Sequence, residues 1–494
     1  MNIKEAKIHI KNTVSAYLEK NETDEYIIPV EKQRPIFLYG PPGIGKTAVM
    51  EQIAEEMGIG LVSYSMTHHT RQSAIGLPFI TKKRFGDKEY DVSEYTMSEI
   101  LASVYSYIEK TDKKEGILFL DEINCVSETL SPSMLRFLQY KTFGSHAVPD
   151  GWVVITAGNP PEYNRSVREY DIATLDRIKK IDVEADYNVW REYAINQNVH
   201  PSIIAYLDIK KSDFYNIENT PAGKSFVTAR GWEDLSRMIR VLENKNIDID
   251  LSLIEQYIQF ENIAEDFCDY YNTYKSLAKL ISVSDALSGN YTEEQISLIH
   301  NSTISEKLGF INILSNEIAN SSKSVVDNTK GVKATAKILK EGDIVSKEKK
   351  EAVTAIGDIL IELKSDDSKK DIYFKESRAQ KKEALEIKEK LLKLKGILEV
   401  SDSDTRTCVT DFLKNETDEL KEMVKLVQER FSGACEFLQK AFGKSPELQI
   451  FISNTNVNVH TSVFLTSFGC KKFSEISEVD FDEKSLIDEI ESLL

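Results

Sequence analysis

Cysteine is scarce in this chain, and its placement excludes a cross-linked scaffold. Five cysteines occur in 494 residues, and no two of them form a Cys-x-x-Cys pair. An odd and scattered set of this kind fits neither a disulfide framework nor a thiolate metal cage. We therefore expect reduced cysteines with structural roles.

Long apolar runs and an excess of basic charge are also missing. No uninterrupted apolar stretch reaches the roughly 18 residues of a membrane helix, and the opening residues MNIKEAKIHIKN do not resemble a signal peptide. The 62 Lys and Arg against 80 Asp and Glu give a net charge of −18. This charge argues against nucleic acid or an anionic membrane as a partner, although a local basic patch is compatible with it. We expect a folded cytoplasmic protein.

Proline becomes rare after residue 221, since only one of the 12 prolines follows it. The second half therefore reads as long helices, and the length predicts about two to four domains. Between about Pro35 and Asp186, apolar runs alternate with helical stretches. The runs are PIFLYG, GLVSYSM, GILFLDEI and GWVVITAG. They predict an α/β sandwich around a parallel sheet that is covered on both faces.

The run PIFLYG is followed at once by a phosphate-binding motif of the form G-x-x-x-x-G-K-[ST]. Glycines let successive N–H groups point into one concavity at a helix N-terminus, where polyphosphate charge is stabilised. Lys46 is predicted to reach the β- and γ-phosphates of ATP, and the hydroxyl of Thr47 to bind Mg²⁺. The predicted nucleotide-binding residues are Gly40, Pro41, Pro42, Gly43, Ile44, Gly45, Lys46, Thr47 and Ala48.

Two later strand ends carry the remaining polar groups that such a site needs. Asp121 and Glu122 end the run GILFLDE. We expect Asp121 to hold the metal and Glu122 to polarise the attacking water. Asn159 follows GWVVITAG and can hold that water or contact the γ-phosphate, since its amide both donates and accepts hydrogen bonds. For adenine we expect apolar contacts upstream of the motif, at Ile27 or Ile28.

The order of these motifs resembles that of AAA+ ATPases, and three longer strings resemble the MoxR branch of that family. The resemblance covers roughly residues 30 to 275 and departs from the family pattern at Ala229 and Ile178. The three strings are SMTHHTRQSAIGLP from Ser65, KTFGSHAVPDGWVVITAGNPPEYNRSVREYDIATLDRIKKIDVEAD from Lys141, and FVTARGWEDLS from Phe226. The resemblance implies an AAA+ αβα sandwich, a helical lid and hydrolysis of ATP with Mg²⁺.

The family also implies a homo-oligomeric, typically hexameric ring with ATP between neighbours. The arginine finger falls on Arg177, with Arg168 and Arg165 as alternatives, and the lid arginine that senses γ-phosphate falls on Arg230. Proteins of this branch commonly act on a protein client together with a VWA-type adaptor. Because the chain lacks an Asp-x-Ser-x-Ser string, the adaptor would be a separate protein. A nucleotide switch that recruits partners without mechanical work, and a DNA translocase, are the alternatives.

Two segments occupy the places of family insertions that line or cap a central pore. They run from about residue 71 to 95 and from 140 to 151. The resemblance implies that they can contact a substrate, with ordinary solvated loops as the alternative. The candidate contacts are Lys82, Lys83, Arg84 and Phe143.

The C-terminal half is predicted to contain a coiled-coil-like helical hairpin. Heptad-like stripes run through 387–398 and 420–438, on either side of a loop near 401–407. We expect the stripes to form the hairpin's own seam, and a partner-docking surface is the alternative. The polar stretch 321–350 is expected to be a mobile connection. The predicted domains are 1–186 (AAA+ core), 187–275 (lid), 276–440 (helical extension) and 441–494 (helical tail).

Overall fold

A computed structural model describes residues 1–68, 74–144, 146–163, 167, 169–220, 223–365 and 378–477. It divides into two compact units. The first contains Met1–Val189 and Thr228–Arg230, and the second contains the described parts of Trp190–Val227, Gly231–Lys370 and Arg378–Leu494. Among the described helices, none is long and apolar enough to cross a membrane.

The first unit is built on a five-stranded sheet in which all neighbouring strands are parallel. Its strands are β1 (Ile36–Tyr39), β2 (Gly60–Ser65), β5 (Gly116–Asp121), β8 (Trp152–Gly158) and β9 (Lys179–Asp182). Their order in the sheet is β2-β5-β8-β1-β9. The first four coincide with the four predicted apolar runs. The edge strand β9 was not predicted because only Ile181 of its four residues is buried.

Helices of the first unit flank this sheet. The helices that the structure describes in this unit include α1 (Ile3–Leu18), α2 (Lys46–Met57), α3 (Glu99–Thr111), α4 (Ser131–Tyr140) and α5 (Ile172–Leu175). Helix α1 begins with a capping box, in which Asn2 and Glu5 each bond the other's backbone N–H. Strand residues such as Leu118 and Val154 share a core with helix residues such as Leu101 and Phe137. The predicted α/β sandwich is confirmed.

Two antiparallel hairpins project from this unit at the predicted insertions. One joins β3 (Pro78–Phe85) to β4 (Lys88–Tyr95), and the other joins β6 (Thr142–Phe143) to β7 (His146–Ala147). The first carries Lys82, Lys83 and Arg84 on its exposed surface. Phe143, in contrast, is buried and stacks on Phe137 with ring centroids 4.1 Å apart. The prediction that Phe143 can touch a substrate is therefore wrong for this conformation.

The second unit is mainly helical, as predicted. Its helices are α6 (Tyr187–Asn196, which starts in the first unit), α7 (Pro201–Ile209), α8 (Ala229–Asn244), α9 (Leu251–Glu255), α10 (Glu261–Leu280), α11 (Val283–Ser288), α12 (Glu293–Asn301), α13 (Ile304–Glu341), α14 (Lys349–Ser365), α15 (Arg378–Val400), α16 (Thr405–Phe442), α17 (Pro446–Val457), α18 (Val459–Phe468) and α19 (Lys471–Ser477). The segment predicted to form the lid also contains an unpredicted hairpin of β10 (Asn216–Thr220) and β11 (Gly223–Val227).

The stretch 321–350 is not a mobile connection. Residues 321–341 continue α13, and a short 3₁₀ turn at Ile344–Ser346 follows before α14. The buried face of this part of α13 includes small and hydroxyl-bearing residues, so its hydrophobic stripe is weak in sequence. Thr329 and Thr335 satisfy their hydroxyls on the carbonyls of Val325 and Gly331, four residues back.

Helices α15 and α16 form the predicted antiparallel hairpin, but its two stripes do not form one seam. Leu391 and Leu394 of α15 pack with Phe412 of α16 in one cluster. The stripe 420–438 of α16 belongs to another cluster, with Phe310 and Val325 of α13 and with the C-terminal helices. Other helices bury this stripe, because α16 extends far beyond the N-terminal end of α15.

Candidate active site

The phosphate-binding motif forms a tight loop between β1 and α2. Helix α2 begins at Lys46, and Gly45 occupies its N-cap with a φ of 92°. Gly43 has a φ of 76°, so both glycines adopt backbone conformations that L side chains rarely take. A Cβ on Gly40 would lie 2.4 Å from the carbonyl oxygen of Val183. The three glycines are therefore required by the local geometry.

Lys46 is buried beneath this loop, with 7% of its surface exposed. Its ammonium donates to the carbonyl oxygens of Gly40 and Pro41, both at 2.8 Å, and to Oδ1 of Asn159 at 2.9 Å. Burial lowers the pKa of Lys46 to about 8, against the opposing effect of the Asp121 carboxylate. The loop thus holds the Lys46 ammonium next to the predicted position of the phosphates.

Thr47 and Asp121 come together at the ends of α2 and β5. The Thr47 hydroxyl donates to Oδ2 of Asp121 at 2.8 Å, and the other oxygen of Asp121 accepts from the N–H of Glu122 at 2.9 Å. A hydroxyl beside a carboxylate is a donor set of the hard oxygen type that Mg²⁺ prefers. The two residues therefore fit the predicted metal, which would take its remaining ligands from nucleotide and water.

Glu122 adopts the left-handed conformation, with φ 56° and ψ 34°. Its carboxylate accepts hydrogen bonds from the hydroxyls of Ser65 at 3.0 Å and Thr67 at 2.9 Å. These contacts place the carboxylate beside the end of β2. Sequence reasoning missed Ser65 and Thr67. The available signal was that β2 was a predicted strand and that its C-terminal end carries hydroxyl residues.

Asn159 follows β8, and a second asparagine holds it in place. Nδ2 of Asn124 donates to the backbone carbonyl oxygen of Asn159 at 2.8 Å. Asn124 lies in a 3₁₀ turn, Ile123–Cys125, directly after Glu122. Sequence reasoning did not single out Asn124. A polar residue three positions after the acidic strand end was visible, but nothing in the pattern indicated that it is buried.

The two predicted arginines differ in their relation to this cluster. Arg230 groups with the first unit, and a Cβ on Gly43 would lie 3.6 Å from the Cβ of Arg230. The exposed Arg177 instead donates from Nη1 to the carbonyl oxygen of Ala173 at 2.7 Å, and no bond found among the described residues joins it to the cluster. Arg165 and Arg168 lie outside the described residues.

Comparison with known proteins supports the nucleotide-site interpretation. Residues 36–169 match the model of a family described as the ATPase family associated with various cellular activities (AAA). No curated protein matches the chain. Residues 36–169 thus form an AAA domain, and the five-stranded parallel sheet with its flanking helices has the AAA+ fold. The match supports ATP hydrolysis in general and an ATPase that acts as a molecular machine.

Proposed function

We propose that this protein is a MoxR-type AAA+ ATPase that remodels, matures or loads a protein client. ATP is hydrolysed between neighbouring copies in a ring, which we propose to be hexameric, and a separate VWA-type protein serves as the adaptor. One observation carries the enzymatic part of this proposal. Lys46, Thr47, Asp121, Glu122 and Asn159 meet at the C-terminal ends of the central strands.

In the proposed reaction, Lys46 binds the β- and γ-phosphates and Thr47 with Asp121 holds Mg²⁺, which neutralises charge on the phosphates.

Glu122 accepts the proton of the attacking water while Ser65 and Thr67 keep its carboxylate in place. Asn159 orients that water. The exposed Arg177 of the neighbouring copy stabilises the charge on the transferred phosphoryl group.

Glu122→Gln tests this proposal. The substitution keeps the shape of the side chain but removes its basicity, so we expect kcat to fall by about 10²- to 10⁴-fold while ATP still binds. ATP turnover, ATP affinity and the mass of the assembly in ATP are measured on the same material. Lys46→Ala is the control that should bind no ATP while it keeps its fold.

Glu122→Gln also separates a remodelling enzyme from a nucleotide switch. A remodeller trapped with ATP should form the ring, retain the adaptor and leave its client unprocessed. A client processed normally by the trapped variant would favour a switch. Unchanged turnover in Glu122→Gln would contradict the catalytic assignment itself.

A further inference from the structure

The two residues that we assign to the attacking water lie beyond the paired part of their strands. The register of β5 with β8 runs from Gly116 opposite Trp152 to Leu120 opposite Thr156. Glu122 and Asn159 follow two and three residues later. Backbone pairing between these two strands therefore does not by itself fix the distance between the two side chains.

Asn124 connects the two strand ends beyond this ladder. Its side chain is 2% exposed and donates through Nδ2 to the carbonyl oxygen of Asn159 at 2.8 Å. The turn that carries Asn124 begins at Glu122. Asn159 in turn accepts from the Lys46 ammonium through Oδ1. A single buried amide thus ties the turn of the proposed base to the residue that contacts Lys46.

The amide of Asn124 fits into this packing only because residue 158 is a glycine. A Cβ on Gly158 would lie 2.4 Å from Oδ1 of Asn124 and 2.9 Å from Cε2 of Phe37. Within the part of the chain that the structure describes, this Oδ1 has no hydrogen-bond partner. A buried acceptor without a partner costs stability, so stability does not explain why an amide stands here.

We propose that Asn124 is a positioning residue for ATP hydrolysis. It holds Asn159 and the Glu122 turn in register, so that both side chains address one water molecule. Asn124 touches neither phosphate nor metal in this assignment, which rests on the proposed roles of Glu122 and Asn159. Its loss should therefore lower kcat and leave ATP affinity nearly intact.

Asn124→Leu is the first test, because leucine has a similar size and cannot donate a hydrogen bond. A misplaced catalytic group commonly costs up to about 100-fold, so we expect kcat to fall about 10- to 100-fold with a Kd for ATP within about threefold of wild type. Val126→Ala is the matched control. It truncates a buried side chain of the same core two residues away, and it should lower the melting temperature while kcat is retained.

Asn124→Asp provides a pH-dependent measurement that would not change if Asn124 had only a structural role. A protonated carboxyl can donate to the Asn159 carbonyl as the amide does, whereas a carboxylate is repelled by it, and burial raises the pKa of such a carboxyl. The ratio of variant to wild-type kcat should therefore fall as pH rises from about 6 to about 8.5. The neighbouring ionisable groups are Lys46, Asp121, Glu122, Cys125 and Tyr170, and wild type carries the same groups, so their effects largely cancel in the ratio.

The outcomes separate this inference from the proposed function. If wild type does not hydrolyse ATP, or Lys46→Ala hydrolyses it equally well, the proposed function is wrong. If wild type is active but Asn124→Leu keeps its kcat, Asn124 does not position the site. Should Asn124→Leu not fold, a wild-type kcat with a flat pH ratio in Asn124→Asp overturns the inference.

Discussion

At the scale of single residues, the site depends on a cation, the Lys46 ammonium, that is largely shielded from water. Taking the Lys46 ammonium out of water disfavours its charge, which is why its pKa falls to about 8. Two carbonyl oxygens and the Asn159 amide oxygen compensate for the lost water. The same three acceptors fix the direction of the side chain, so the charge is preorganised before any phosphate arrives.

The hydroxyls beside Glu122 indicate how the proposed general base is positioned by residues that do no chemistry. Ser65 and Thr67 are contributed by the end of β2 and the residues just after it, and both donate to the same oxygen, Oε2. A carboxylate held by two donors, one at the end of β2 and one just after it, keeps one orientation although its backbone is in the left-handed region. Its second oxygen, Oε1, is the atom that we assign to proton transfer.

The double variant Ser65→Ala, Thr67→Val should release Glu122. We expect kcat to drop about 10- to 100-fold because the base is misplaced, with ATP affinity within about twofold of wild type. Steady-state kinetics combined with equilibrium ATP binding make the comparison. Ser63→Ala, the same change two residues earlier on β2, is the control and should be active. Equal kcat in the double variant and in this control would show that the hydroxyls do not position Glu122.

At the scale of secondary-structure elements, the ribbon of β3 and β4 is a two-stranded sheet with apolar side chains in solvent. Ile80 is 76% exposed and Phe85 is 60% exposed. An isolated two-stranded ribbon is marginally stable in water, and exposed apolar groups of this size are typical of contact surfaces. These features are compatible with the implied contact to a substrate by Lys82, Lys83 and Arg84, which stays a prediction.

Helix α7 depends on a buried ionisable group at its N-terminus. Nδ1 of His200 accepts from the N–H of Ser202, and Nε2 lies 3.0 Å from a carboxylate oxygen of Glu243. Burial lowers the pKa of His200 below its usual value. Burial raises the pKa of Glu243, but hydrogen bonds from His200 and Tyr271 outweigh this effect and lower it overall.

These shifts predict that the second unit loses stability in acid. Below about pH 6.5 the unfolded chain binds a proton at this histidine that the folded chain resists, so the free energy of unfolding falls by up to about 1.4 kcal/mol per pH unit. Glu243 adds to the loss at lower pH, as its carboxylate is protonated. Arg240, Tyr271 and Tyr274 also face this group.

Hydrogen exchange of peptides from 201–209, followed between pH 5.5 and 7.5, checks this prediction after correction for the intrinsic exchange rate. His200→Gln keeps a donor towards Glu243 but does not titrate, and it should show a weaker dependence of protection on pH. The same pH dependence in wild type and in this variant would assign the effect to other groups.

At the scale of the whole molecule, the two units divide the chain near Val189 and Trp190. Most of the segment predicted to form the lid, 187–275, groups with the C-terminal helices, whereas Tyr187–Val189 and Thr228–Arg230 group with the first unit. Within the second unit, Arg191 of α6 bonds Asn454 of α17, which bonds Asn312 of α13. The finer division at residues 275 and 440 stays a prediction.

The proposed ring predicts that two inactive variants restore each other. Arg177→Ala removes the proposed finger, and Lys46→Ala removes phosphate binding. In mixed rings an Arg177→Ala subunit keeps its own Lys46 and receives Arg177 from a Lys46→Ala neighbour. Equal mixing should therefore restore roughly a quarter of wild-type turnover, because random assembly completes about one interface in four.

ATP turnover is measured for each variant alone and for the two after co-assembly. The control mixture is Lys46→Ala with Lys46→Ala, Arg177→Ala, since neither chain in it has Lys46 and no site can be completed. If co-assembled Lys46→Ala and Arg177→Ala recover no turnover, Arg177 does not act across the interface. If a wild-type monomer shows full turnover, the proposed ring is wrong.

The amino-acid sequence alone determined the parts of this protein that are set locally. A phosphate loop needs glycines at fixed positions, and a buried parallel strand needs a short apolar run, so both are visible as strings. The pairing of Asp121 with Thr47 also follows, because the C-terminal ends of parallel strands meet at one edge of the sheet.

Only the tertiary structure decided which distant side chains share a buried environment. The contacts of Glu122 with Ser65 and of Asn124 with Asn159 join residues far apart in the chain, and no periodicity records them. The polar stretch of α13 became a helix because its neighbours bury its small side chains. Burial is a property of the assembled elements, so a sequence pattern shows it only where one face is strongly apolar.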